Sequence, residues 1–163
     1  MKMLWYLQVP MSRAELLQFF NVPDREVIST TLSQFRKADT RGGNLKYDIS
    51  DEEAIPLLQN SESLARMIGL NVLYHNAEKQ SVELALPLLR DPQQVVRRRA
   101  AATLRALTGQ HFSDEQPDQW EKWWSENKTN FVVELHPEEL RPQHRGTNNF
   151  RSFLTNRPPS SVP

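Results

Sequence analysis

Residues 54–74, AIPLLQNSESLARMIGLNVLY, and residues 85–105, ALPLLRDPQQVVRRRAAATLR, can be written one beneath the other at a constant shift of 31 positions. Six of the 21 pairs are then identical: Ala54 with Ala85, Pro56 with Pro87, Leu57 with Leu88, Leu58 with Leu89, Arg66 with Arg97, and Leu73 with Leu104. Random pairing would give roughly one identity, so the stretch is an internal repeat. Ile55 with Leu86 and Leu64 with Val95 keep apolar character. Each unit has a short apolar first segment, a polar turn and a longer amphipathic second segment, which is the pattern of a helical hairpin.

The second unit carries the clearest start signal. Asp91 can accept from the amides of a helix start and Pro92 suits the first helical position, which predicts a helix from Pro92 to about Leu107. Val96, Ala100, Thr103, Leu104 and Leu107 follow helical spacing, and Thr108-Gly109 supplies the stop. Its partner helix covers about Ser81 to Arg90. Ser50 followed by Asp51-Glu52-Glu53 reads as a capped helix start, with negative charge at the positive end of the dipole, in preference to a metal-binding acid run.

Outward from the repeat, Arg13 to Phe20 and Asp24 to Lys37 form a degenerate third unit whose register needs an insertion. Leu16-Leu17-Gln18 echoes Leu57-Leu58-Gln59, and Val27, Ile28, Thr31, Leu32 and Phe35 share one helical face. Asp39 to Ser50, with Gly42-Gly43, breaks the pattern and is expected as an exposed loop. Downstream, Pro117 to Asn127 reads as a last helix with Trp120, Trp123 and Trp124 on one stripe, placed to close an end of the stack. The last 27 residues, from Pro137, hold five of the eleven prolines and little apolar periodicity, so a disordered tail is expected there. The domain reading is therefore 1–39 as an N-terminal helical region, 40–50 as loop, 51–136 as repeats and closing helix, and 137–163 as tail.

Asp91-Pro92 followed by Val95-Val96-Arg97-Arg98-Arg99-Ala100-Ala101-Ala102-Thr103-Leu104 resembles the HEAT-like repeat, in the short form of about thirty residues found in bacterial proteins and in phycobilisome-lyase relatives. The stretch 107–124, with Leu107-Thr108-Gly109-Gln110-His111-Phe112 and the tryptophan helix, is similar to the closing segment of such chains. The resemblance spans about 54–127. It implies an all-α fold, a short α-solenoid that acts by offering a surface. It also implies a ladder between neighbouring repeats from an Asp in the turn and an Arg six residues on, matched by Asp91 and Arg97. Asn60 stands opposite Arg66 in the first unit, so that rung carries half its charge. A superfold hosts many roles, and no activity follows from it.

Composition narrows the function classes. Twenty Lys and Arg balance twenty Asp and Glu, so no global field draws the chain to nucleic acid or anionic lipid. The absence of cysteine removes disulfides, thiolate chemistry and Cys-containing zinc sites. The N-terminal apolar run ends at Pro10, short of a signal-peptide core or a ~20-residue span, which leads to the expectation of a cytoplasmic chain without a membrane segment. His75, His111, His136 and His144 have no spacing that argues for a metal or an acid/base pair, and no cofactor is expected.

The strongest local charge is Arg97, Arg98, Arg99 and Arg105, in a predicted helix free of acidic residues between Pro92 and Leu107. Helical geometry puts Arg98 and Arg105 on one exposed face, where they balance the acidic stretch from Asp114 to Glu126, and turns Arg97 toward the packing side as a structural residue with Asp91 and Arg66. The expected function is a non-catalytic scaffold that meets a protein partner through Asn71, Arg98 and Arg105. The alternatives are a nucleic-acid-binding solenoid using the arginine ridge, and an enzyme accessory related to the bilin-lyase branch. Homo-oligomerisation or docking into a larger assembly would cover an exposed end of so short a stack.

Overall fold

The computed structural model describes residues 11–37 and 46–136. Among them the chain is helical, with seven α-helices and one minimal pair of strands. Helix α1 (Arg13–Gln18) starts on a capping box between Ser12 and Glu15 and runs into a 3-10 turn, Phe19–Asn21. Helix α2 (Arg25–Gln34) follows, its first amides on Glu26 and Val27 donating to Asp24 Oδ1 at 2.8 and 3.0 Å. Arg36–Lys37 (β1) and Lys46–Tyr47 (β2) pair antiparallel.

Beyond them lie α3 (Asp51–Leu58), α4 (Ser63–Asn76), α5 (Lys79–Ala85) continuing as the 3-10 turn Leu86–Arg90, α6 (Gln94–Thr108) and α7 (Pro117–Asn127). Helix α3 packs on α4, and α5 with its 3-10 extension packs on α6. Between the pairs, α4 touches α6 and α3 touches α5, while α7 lies against Leu86–Arg90. First segments thus form one layer and second segments another.

The capped start expected at Ser50 is present: Ser50 Oγ accepts from the Glu53 amide at 3.2 Å, and Glu53 Oε2 accepts from the Ser50 amide at 2.9 Å. Pro56 and Pro87 occupy equivalent places, and neither can donate to the carbonyl four residues back. The first unit absorbs this inside α3, whereas the second tightens to 3-10 from Leu86. Both second helices end on a left-handed residue, Ala77 at φ 54° and Gly109 at φ 67°.

Two expectations require correction. Helix α6 begins at Gln94 and not at Pro92. The Asp91 carboxylate is already taken by Arg66, and its Oδ1 accepts from the Gln93 amide at 2.8 Å, which makes a turn two residues ahead of the helix. The stretch Asp39 to Ser50 is also not wholly exposed. Tyr47 and Ile49 are buried with Phe20, Ile28, Leu32 and Phe35, because β2 folds the chain back over α2. The proline-rich tail, Gly42-Gly43 and the N-terminal run to Pro10 lie outside the described residues.

The core has two parts joined by α4. Leu64, Ala65, Ile68 and Val72 face the cluster built by α2, β2 and α3; Leu70 and Leu73 face the cluster built by α5, α6 and α7. Gly69 lets α3 and α4 approach: a Cβ there would lie 2.7 Å from Leu58 Cδ2 and 3.2 Å from the Leu58 backbone nitrogen. No helix is long and apolar enough to cross a membrane among the described residues.

Candidate functional site: the ladder and the α4/α6 face

The repeat is visible in the hydrogen bonds as well as in the sequence. Arg66 Nη1 donates to the carbonyls of Asn60 and Ser61 at 2.6 and 2.8 Å; 31 residues on, Arg97 Nη1 donates to those of Asp91 and Pro92 at 2.8 and 3.2 Å. Asn60 Oδ1 accepts from the Glu62 amide as Asp91 Oδ1 accepts from that of Gln93. Each arginine thus staples its own turn.

The turns also bridge units. Arg66 grips Asp91 with two parallel bonds, Nε to Oδ2 at 2.6 Å and Nη2 to Oδ1 at 3.0 Å, and both side chains are buried. The ion pair of the ladder therefore joins Asp91 to the arginine of the preceding unit. Arg97, paired with Asp91 in the sequence reading, meets that residue only through its carbonyl. One unit earlier the bridging residue is Asn60, whose Nδ2 donates to the carbonyls of Phe20 and Val22 at 2.7 and 3.1 Å. The degenerate N-terminal unit has Ile28 where the two later ones carry arginine, four residues past the N-cap, so its turn offers acceptors. An amide, unlike a carboxylate, can donate to them.

A second buried polar group was not foreseen. Asp51, at 1 % exposure, accepts from Asn76 Nδ2 at 2.8 Å and Ser81 Oγ at 2.5 Å, tying α3 to the end of α4 and the start of α5. Nothing in the repeat signals it, because the residue 31 positions on is Val82. Asn60, by contrast, is legible as the counterpart of Asp91 in the aligned units.

On the outward side of α4 and α6, the residues expected to meet a partner separate. Arg98 is exposed and forms no ion pair among the described residues. Arg105 is half-buried, and its Nη1 donates to the Phe112 carbonyl at 3.3 Å, so it fastens the loop after α6 and is not half of an exposed pair. Asn71 is half-buried and accepts from Arg99 Nη2 at 3.0 Å, which links the two helices. Burial lowers the Arg99 pKa from its ordinary value, with Tyr74 opposing. The acidic stretch finds its cation in Arg90, which bonds Asp118 at 2.5 Å and Glu121 at 3.1 and 3.2 Å and whose pKa is raised by those two carboxylates.

Two clefts flank the layers. A polar one of about 330 Å³ is bounded by Arg13, Asp48, Glu53, His75, Asn76 and Glu78, and an apolar notch of about 260 Å³ lies among the starts of α2, α4 and α6, with Arg25, Leu64, Met67 and Val95 in its walls. In the polar cleft Arg13 is committed to Glu53, at 2.7 and 2.5 Å, and to the Asp48 carbonyl. No group of three metal-ligating side chains gathers among the described residues. His75 stacks edge-on against Tyr74, His111 is exposed, and the His136 amide donates to the Ala106 carbonyl at 2.7 Å; His144 lies outside the described residues.

Trp120 and Trp124 are buried in the second core cluster, and Trp120 Nε1 donates to the Ser113 carbonyl at 3.1 Å. Trp123 is half-buried, and Phe131 meets both Trp123 and Trp124 edge-to-face at 5.7 and 5.2 Å between centroids. No known protein family, curated protein or solved structure matches the chain.

Proposed function

We propose that this chain is a non-catalytic interaction scaffold, a short HEAT-like α-solenoid that presents the outward face of α4 and α6 to a protein partner. The observation that carries the reading is Arg98: an exposed arginine without an ion pair among the described residues, on a helix whose neighbouring arginines are engaged at Asn71 and in the Asp91 turn. The recurrence of the turn bonds at 31 residues supports the repeat reading. The buried Trp120 and Trp124 on α7 support the view that this helix closes one end of the stack.

Rigid display is the mechanism. Side chains on helices already fixed by packing lose less freedom on binding than side chains on loops, so more of the contact energy appears as affinity. A nucleic-acid track would need cations on successive second helices, and α4 offers only Arg66, which is buried against Asp91.

The test is capture by the full chain against Arg98→Glu, with and without nuclease. Arg105 is left intact because it holds the Phe112 carbonyl. The expected result is a protein retained by the intact chain, lost by the variant and indifferent to nuclease. Nuclease-sensitive capture would overturn the reading in favour of nucleic acid, and equal capture by both forms would exclude this face.

A further inference from the structure

Among the described residues the ladder ends one ion pair short. Arg66 divides its guanidinium between two tasks: Nη1 holds the carbonyls of its own turn, and the edge formed by Nε and Nη2 grips Asp91 of the next unit. Arg97 performs the first task with the same atom, and among the described residues it makes no ion pair. Its Nε and Nη2 edge is the one that binds a carboxylate in the preceding unit.

The chain does not supply that carboxylate from the equivalent place. Asp91 directly follows the 3-10 turn that ends the first segment of its unit. The residues after α7 read Lys128-Thr129-Asn130, and the residue 31 positions past Asp91 is Lys122, so neither place carries an acid. Meanwhile α6 has no acidic residue from Gln94 to Thr108, and Arg98 stands exposed next to Arg97. An arginine held in plane by two carbonyl bonds has little left to lose on binding, and its fork matches a carboxylate with two parallel bonds.

We propose that Arg97 is an open rung of the ladder, and that it receives an aspartate or glutamate from a docking protein segment seated as Asp91 is seated on Arg66. The inference deepens the binding-surface reading by naming the chemistry of the partner: an acidic side chain at a turn, brought to the part of α6 that carries Arg97. Arg97 is then the specific contact, and the exposed Arg98 adds attraction without a defined geometry.

The probe is a synthetic decapeptide copying residues 86–95, LPLLRDPQQV, which carries the aspartate that fills the Arg66 rung. It is titrated into the full-length 15N-labelled chain, and the Nε–H resonances of Arg97 and Arg98, assigned in the unmutated protein, are followed. The expected result is a saturable shift of Arg97, little movement of Arg98, and at least a tenfold weaker response to the same peptide with aspartate replaced by asparagine. An unmoved Arg97, an equal response to the two peptides, or an equal response of Arg98 would overturn the proposal, the last because it would mean charge attraction alone. Because no variant is needed, loss of folding cannot mimic a negative result. A responsive Arg97 together with partner capture that Arg98→Glu leaves unchanged would fail the α4/α6 face alone; a silent Arg97 beside Arg98-dependent capture would fail this inference alone.

Discussion

Arg66 on α4 and Asp91 in the turn before α6 lie 25 residues apart in sequence and are joined by two parallel hydrogen bonds with both side chains out of water. The equivalent of Asp91 one unit earlier is Asn60, which faces two carbonyls instead of an arginine. The two positions are therefore not interchangeable, although they occupy one place in the repeat.

Asn60→Asp removes the donor that satisfies Phe20 and Val22 and turns a carboxylate toward their oxygens, and a loss of about 2 kcal/mol is expected. Asp91→Asn leaves the Arg66 charge buried without its counter-charge, at a cost of about 3 kcal/mol. Urea unfolding followed by circular dichroism measures both. A neutral result at either position would mean that the turn does not discriminate amide from carboxylate.

Gly69→Ala sets two effects against each other. Alanine in a helix interior gains about 1 kcal/mol over glycine, but here the added methyl meets the side chain and backbone nitrogen of Leu58. Overpacking of this kind costs about 1–3 kcal/mol, so a net destabilisation is expected, read as a lower urea midpoint. A raised midpoint would show that α3 and α4 can separate freely.

Two substitutions should stabilise. The Thr103 hydroxyl is fully buried and has no hydrogen-bond partner among the described residues, and the nearly isosteric Thr103→Val removes that penalty, for a gain of about 1 kcal/mol. Ala77 caps α4 at φ 54°, a conformation that glycine adopts without steric cost, so Ala77→Gly should gain about 0.5–1 kcal/mol. Thermal unfolding of each variant decides, and a lower melting temperature for either would count against the assigned cause.

Acid should act through the Arg13 and Glu53 pair. Glu53 lies below its ordinary 4.5, chiefly because Arg13 donates to it, with burial opposing and Ser50 assisting. A depressed carboxylate contributes stability above its unfolded pKa and loses it as pH falls through the folded value. Both partners are partly exposed, so the contribution is at most about 1 kcal/mol. The stability difference between the native chain and Glu53→Gln should hold at neutral pH and close as pH falls below 4.5 through the lowered folded value. A difference unchanged in acid would place its origin elsewhere.

The repeat was legible because its period is carried by the residues that pack and by those that staple the turns. Pro56 and Pro87, Leu57 and Leu88, and Arg66 and Arg97 keep both their spacing and their surroundings. The partner of Asp91 was not legible, since a carboxylate in a turn can bond forward to helix amides or back to a neighbouring unit, and only tertiary packing decides between them. Arg105 shows the same limit: helical phase placed it beside Arg98, but the loop returning through Phe112 covers it. Tyr47 and Ile49 followed a glycine-rich stretch, and their burial depends on a two-residue strand pair too short to leave a periodic signal.

The proposed scaffold reading requires hairpins that are locked together, and the buried bonds between Arg66 and Asp91 are the candidate lock. The decisive measurement is a double-mutant cycle with Arg66→Ala, Asp91→Ala and the double variant, read by urea unfolding. Such a lock requires each single change to cost about 3–5 kcal/mol and the double variant to cost well short of their sum, because removing both partners leaves no buried charge behind. Additive losses within about 0.5 kcal/mol would contradict it, since the two residues would then stabilise their own hairpins independently.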